Sequence, residues 1–141
     1  MQHPRIVGID YGTKRVGLAI SDPMGWFARP LGTYSPARAL DVLRELHQRE
    51  GIQQIVIGWP LTLEGKEEEA TQKVAAYIKR IKKVLPDVPV LRWDERYTSE
   101  VARELILQAG LPRKKRREKE RVDAVAAAVI LQEFLNSRTS S

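Results

Sequence analysis

The alternation of apolar and polar positions predicts five β-strands. "RIVGID" and "RVGLAISD" are apolar runs joined by a short turn around Gly12, which predicts a β-hairpin near the N-terminus. "WFARPLGTYS" predicts a third strand, and Pro30 within it indicates a position at the edge of a sheet. "QQIVIGWP" and "VPVLRWDER" predict the fourth and fifth strands.

Apolar residues at helical spacing predict four helices. The first has Ser35 as its N-cap, Pro36 at its first position and Gly51 just past its end. The last is apolar nearly all round, which indicates that it packs deeply on the sheet. The helical segments are 35–51, 62–85, 98–112 and 122–135, and a polar tail is expected over 136–141.

The order of these elements predicts the topology. Three consecutive strands favour an antiparallel meander, whereas strands reached through helical crossovers become parallel neighbours. A chain of 141 residues is most often one domain with its own core. We therefore expect a single α/β domain over residues 1–141, in which helices flank a mixed five-stranded sheet.

Composition narrows the class of protein. The chain has no cysteine, so neither a disulfide framework nor a thiolate metal site is available. "MQHPRIVGID" does not have the pattern of a signal peptide, and no apolar run approaches the roughly 20 residues of a membrane span. We expect a cytoplasmic protein with no membrane partner.

The positive charge is concentrated in one segment. In "RKKRREKER", residues 113–121, seven basic residues and two acids leave a net charge of +5, out of +6 for the whole chain. Such a run is commonly a solvated, mobile segment, and the alternative is a patch that binds nucleic-acid phosphates. The candidate nucleic-acid contacts are Arg113, Lys114, Lys115, Arg116 and Arg117, together with Lys14, Arg15 and Arg96.

Acidic residues follow the strands that we expect to be parallel neighbours. Asp10 ends the first strand, Asp94 and Glu95 end the fifth, and Asp123 falls in the first turn of the final helix. Ligands of open α/β sheets bind outside the carboxyl ends of parallel strands, so these acids are expected to share one edge. Carboxylate clusters suit Mg²⁺ or Mn²⁺, and two such ions can activate water against a phosphodiester.

Strand alternation allows only one acid of the fifth strand into this site. Asp94 and Glu95 point to opposite faces, and the pattern leaves open which of them faces inward. Each acid also has a structural alternative. Asp10 could accept backbone amides in a turn, Asp123 could complement a helix dipole, and the other two could pair with neighbouring arginines.

Four motifs then stand in a fixed order: "GIDYGTKRVGLAISD", "IVIGWPLTLEG", "DERYTS" and "VDAVAAAVIL". Together they resemble the YqgF/RuvX family, from about residue 5 to residue 135. The resemblance implies an RNase H-like fold and a metal-dependent nuclease site of Asp10, Glu95 and Asp123, and it therefore favours Glu95 over Asp94. The chain departs from the family at Trp59, where Leu is usual, and at Glu64, where Asp or Asn is common.

The resemblance implies an endonuclease acting on RNA, in 5′-end maturation of pre-16S rRNA. Trp59 and Trp93 could stack on unpaired bases, although core packing is the favoured interpretation for Trp93. One alternative is a Holliday junction resolvase on branched DNA, which requires a symmetric dimer; another is a non-catalytic RNA- or ribosome-binding module. "GIDYGT" also resembles a phosphate loop of actin-like ATPases, but 141 residues cannot supply their second domain. The expected oligomeric state is a monomer or a weak homodimer.

Overall fold

The computed structural model describes residues 3–60, 69–94 and 118–139, and the five predicted strands are present in it. The helix predicted over 98–112 lies outside the described residues. The elements are β1 (Arg5–Tyr11), β2 (Val16–Ser21), β3 (Ala28–Tyr34), α1 (Pro36–Arg49), β4 (Ile52–Trp59), α2 (Glu69–Val84), β5 (Val90–Asp94) and α3 (Glu118–Thr139).

The strands form one mixed sheet in the order β3-β2-β1-β4-β5. β1, β2 and β3 pair antiparallel as a meander, whereas β4 is parallel to both β1 and β5. The predicted fold class is therefore confirmed. Pro30 lies in the edge strand β3, as its presence within a strand indicated.

The sheet is covered on both faces, because alternate side chains of its central strands are apolar on both sides. On one face, Val7 and Ile9 pack against Leu43 of α1 and Tyr77 of α2. On the other face α3 lies alone among the described elements. Its apolar residues pack on the sheet residues Ile6, Ala19 and Val56.

The first helix matches its prediction closely. Ser35 caps it by accepting a hydrogen bond from the Arg38 N–H, Pro36 occupies the first turn, and Gly51 follows its end with φ of 85°. The apolar positions expected on one face are the ones that the structure buries: Ala39, Leu40, Leu43 and Leu46.

The last helix is longer than predicted at both ends. It begins at Glu118, so Asp123 lies in its second turn rather than its first, and residues 118–121 of the basic segment are helical. The mobility expected for 113–121 stays a prediction. Residues 136–139 of the predicted tail continue the helix. Glu, Lys and Arg, which form the N-terminal extension, are good helix formers, and no Gly or Pro interrupts either extension.

Within the part of the chain that the structure describes, no helix has the length and apolarity that a membrane span requires.

Candidate active site

Asp10 lies near the end of β1, on the face that α3 covers. Ile6, on the same face of β1, belongs to the α3 core, and a Cβ on Gly8 would lie 2.7 Å from the Ala127 carbonyl oxygen. Because strand side chains alternate, Ile6, Gly8 and Asp10 share this face. The cross-strand partner of Asp10 on β2 is Gly17.

Gly17 brings Asp123 to the same place. A Cβ on Gly17 would lie only 1.9 Å from the Asp123 carbonyl oxygen, so the backbone of α3 rests directly on β2 at this residue. Gly17, which contacts the backbone of Asp123, is thus also the cross-strand partner of Asp10. The backbone positions of both acids therefore lie at the same end of the α3 face.

Arg15 binds one of these acids. Its Nε donates a hydrogen bond to Asp123 Oδ2 at 2.8 Å, and the two side chains are 44% and 24% exposed. Arg15 follows the turn of the β1–β2 hairpin, directly before Val16, the residue paired with Tyr11. The guanidinium compensates the negative charge that Asp123 adds beside Asp10. Sequence reasoning assigned Arg15 to nucleic acid and missed this ion pair.

Asp94 lies on the opposite face of the sheet. Its register partner on β4 is Trp59, which belongs to the core beneath α1 and α2. Trp93, one residue earlier, packs on the α3 side, with its ring edge-to-face on Phe134 at 6.0 Å. Asp94 therefore does not join Asp10 and Asp123, and Glu95 lies outside the described residues.

The prediction that Trp59 stacks on bases is not supported. Its side chain is only 7% exposed, and the Arg92 guanidinium lies over its ring at 4.3 Å from the centroid. Core packing on one side and a cation–π contact leave no free ring face for a base. The interpretation of Trp93 as a packing residue agrees with its contact to Phe134.

The other predicted nucleic-acid contacts divide into two groups. Lys14 is exposed in the β1–β2 turn, one residue before Arg15. Arg96 and residues 113–117 lie outside the described residues.

A groove of about 400 Å³ lies near the carboxyl ends of β1 and β4, on the side of the sheet that α2 covers. It is lined by Tyr11, Thr13, Pro60, Glu69 and Lys73 among others. Tyr11 and α2 belong to the face of the sheet opposite to Asp10 and Asp123, so the groove is separate from these two acids.

Comparison with known proteins identifies the family. A family model described as "RuvX: Holliday junction resolvase" matches residues 4–137. A "Putative pre-16S rRNA nuclease" of Salinibacter ruber is 59% identical over 132 residues, which cover 94% of this chain and 92% of that relative. The chain belongs to the RuvX family. A relative of the same name from Chlorobaculum tepidum is 39% identical and covers 97% of this chain.

Solved structures establish the fold of this RuvX-family chain. RuvC of Thermus thermophilus has a TM-score of 0.61 at 17% identity, and the match covers 96% of each chain. RuvC from the same organism in complex with a Holliday junction substrate has a TM-score of 0.59, with 97% and 96% covered. At this identity the likeness concerns the fold alone, and it confirms the RNase H-like architecture implied by the sequence motifs.

The side chains of Asp10 and Asp123 are of the chemical type that binds hard divalent cations. Asp10 and Asp123 offer carboxylate oxygens only, which suit Mg²⁺ or Mn²⁺. Within 3–60, 69–94 and 118–139, no three acidic or histidine side chains form a group that could hold a metal. His47 is used elsewhere, because its Nδ1 accepts a hydrogen bond from the Ile52 N–H at the opposite end of β4.

Proposed function

We propose that this RuvX-family protein is a metal-dependent endonuclease that hydrolyses phosphodiester bonds of RNA in the cytoplasm. We propose 5′-end maturation of pre-16S rRNA as its role, since curated relatives carry the name of a pre-16S rRNA nuclease. The observation that carries the proposal is the placement of Asp10 and Asp123 at one end of the α3 face, through Gly17.

The proposed third acid is Glu95. Two observations support it over Asp94: Trp93 packs on the α3 side, and Asp94 pairs in register with Trp59 on the other side. If the chain continues in the extended conformation for one more residue, alternation returns the next side chain to the α3 side. Asp10, Glu95 and Asp123 would then form an all-oxygen ligand set.

Mg²⁺ or Mn²⁺ bound by these acids would lower the pKa of a bound water and stabilise the leaving oxygen. Asp10 would be the central ligand, because β1 is the middle strand of the sheet. Arg15 holds the Asp123 carboxylate in place through its Nε–H. The chain offers no cysteine nucleophile, and His47 is committed to the backbone of β4.

Nucleic-acid binding would rest on cationic residues around these acids. Lys14 is exposed in the β1–β2 turn, and Arg96 and residues 113–117 are the further proposed contacts. Phosphate contacts of this kind bind many sequences alike and weaken with salt. Substrate choice would then depend on the shape of the RNA rather than on a base code.

Holliday junction cleavage is the second candidate. The matching family model carries the description of a resolvase, and the chain shares its fold with a RuvC solved on a junction. A resolvase cuts two strands symmetrically and so requires two sites in a symmetric dimer.

The experiment incubates the purified protein with a pre-16S rRNA fragment and with a junction DNA, in Mg²⁺, Mn²⁺ or EDTA. We expect cleavage of the RNA with either metal and none in EDTA. Asp10→Asn keeps the side-chain shape and should abolish cleavage while leaving binding intact. Asp41→Asn, an exposed α1 residue on the other face, is the matched control and should cleave normally.

A second pair of variants tests the fifth strand. Glu95→Gln should abolish cleavage, whereas Asp94→Asn should retain it, because Asp94 faces away from the site. Normal cleavage by Asp10→Asn, or by the wild type in excess EDTA, would contradict the nuclease proposal and favour a non-catalytic binding module. Cleavage of the junction alone would favour the resolvase.

A further inference from the structure

The turn between β2 and β3 exposes an unusual set of side chains. Met24, Trp26 and Phe27 are 70%, 58% and 70% exposed, far more than Leu91 at 37%, the next large apolar residue among those described. We call residues 22–27 the aromatic tip. Large apolar side chains held in water on a short turn contribute nothing to the core, so they point to a ligand.

The aromatic tip is held in a defined conformation. The Asp22 carboxylate accepts hydrogen bonds from the N–H groups of Met24, Trp26 and Phe27, at 3.3, 2.7 and 2.8 Å. These bonds also hold the pKa of Asp22 below its ordinary value. From α3, Gln132 accepts from the Ala28 N–H and donates to the Trp26 carbonyl oxygen. A turn fixed in this way loses little entropy when it binds.

The aromatic tip and the candidate active site lie along the same helix. α3 rests on Gly17 at Asp123 and contacts the tip through Gln132, nine residues later. A helix rises 1.5 Å per residue, so the separation along the axis is about 14 Å. That is the length of about four stacked nucleotides at ~3.4 Å each. A strand cut at the acids and following α3 would therefore reach the tip.

Charge around the aromatic tip favours a polyanion. An ideal Cβ on Gly25 would lie 3.9 Å from Arg138 Nη1, and the exposed Arg29 follows Phe27 by two residues. The one acid of the tip, Asp22, is bonded to three amides of its own turn. Aromatic faces with arginines beside them are the usual composition of surfaces that bind unpaired bases.

We propose that Trp26 and Phe27 are a stacking platform for unpaired bases of the nucleic acid that this protein binds. The inference rests on the proposed function for the choice of RNA as the ligand, but not on the carboxylate chemistry. It adds a site for single-stranded or looped substrate, whereas a continuous duplex presents no free base faces to the tip. The tip thereby selects unpaired segments close to the cut.

The test measures binding of a single-stranded oligoribonucleotide and of its duplex, both in EDTA so that no cleavage occurs. Trp26→Leu and Phe27→Leu keep an apolar side chain and remove the aromatic face; Trp26→Phe and Phe27→Tyr keep the face. Each Leu variant should weaken single-strand binding by about 5-fold to 150-fold, the range for one lost base stack. The aromatic variants should bind nearly as the wild type does, and duplex binding should change little.

Tryptophan fluorescence gives a second readout. Trp59 is buried and Trp93 is half-buried against Phe134, so Trp26 is the tryptophan that a base in solution can reach most easily. Quenching on adding the single strand should therefore disappear in Trp26→Leu. Because both side chains are exposed, the melting temperature should stay unchanged, and this measurement confirms that each variant is folded.

Equal single-strand affinity of the wild type and both Leu variants would overturn the inference. Loss of self-association in the Leu variants, with RNA affinity unchanged, would assign the aromatic tip to a second copy of the chain and would also overturn it. The binding test is made in EDTA and does not depend on cleavage. If the protein failed to cleave RNA in Mg²⁺ or Mn²⁺, the nuclease proposal would fail while the binding results still tested the stacking platform.

Discussion

Replacing Gly17 with alanine tests how α3 carries Asp123 to the site. The new Cβ would lie 1.9 Å from the Asp123 carbonyl oxygen and 2.2 Å from its carbon, and both atoms belong to the helix backbone. Ordinary Cβ contacts begin at 3.4 Å, so the helix must shift by about 1.5 Å at this point. No rotamer change can relieve a clash with backbone.

Two effects of different size follow from this shift. Overpacking of this kind costs about 1–3 kcal/mol, which lowers the melting temperature of a domain this size by roughly 2–12 °C. Displacing an active-site group by ~1 Å can cost about 100-fold in rate. Because the protein should remain folded below its melting temperature, we expect a large loss of cleavage with only a moderate loss of stability.

The assay pairs thermal melting with metal-dependent cleavage, and Gly32→Ala is the matched control. Gly32 is also a strand glycine, but its Cβ would meet only the Tyr34 side chain, at 2.7 Å from the hydroxyl. That side chain can move, so both measurements should stay near the wild-type values. Wild-type stability and activity in Gly17→Ala would refute the contact between α3 and β2, and with it the placement of Asp123.

Two further predictions concern the charged residues. Neutralising the basic residues of 113–117 should weaken RNA binding to all sequences alike and flatten its dependence on salt; equal slopes of affinity against salt would show that they touch no phosphates. Arg15→Ala should lower the melting temperature by at most about 4 °C, since an exposed ion pair contributes up to about 1 kcal/mol. It should also raise Mn²⁺ affinity in calorimetry, because it removes a positive charge at Asp123, whereas Arg38→Ala, which breaks an exposed pair on α1, should not.

Much of the fold was predictable because its signals are local. The caps and the apolar face of α1 follow from Ser35, Pro36 and the spacing of four apolar residues, and the structure has all of them. The ends of α3 were predicted less well, since its apolar stretch shows which part is buried and not how far the helix continues. Charged residues such as Glu118 and Arg138 extend it without a hydrophobic signal.

The site was predictable only in part. Alternation along a strand shows that neighbouring side chains face opposite sides of the sheet, but it does not show which side each one faces. From the sequence, Asp94 and Glu95 point to opposite sides, and nothing local says which side α3 covers. The structure answers this for Asp94 through its register with Trp59. The same packing explains why Trp59 was misassigned, because a tryptophan at a strand end has no local signal that separates a core ring from an exposed one.

Two strand glycines carried a signal about the site that the sequence analysis left unused. Glycine destabilises a strand by about 0.5–1 kcal/mol relative to alanine. Glycines such as Gly8 and Gly17 within strands therefore indicate that another segment approaches the backbone closely. In the structure α3 lies on both, against Ala127 at Gly8 and Asp123 at Gly17. Gly17 is also the register partner of Asp10. Gly8 and Gly17 therefore weaken their strands but allow close packing of α3 on the sheet. This packing places Asp123 of α3 near the strand position of Asp10.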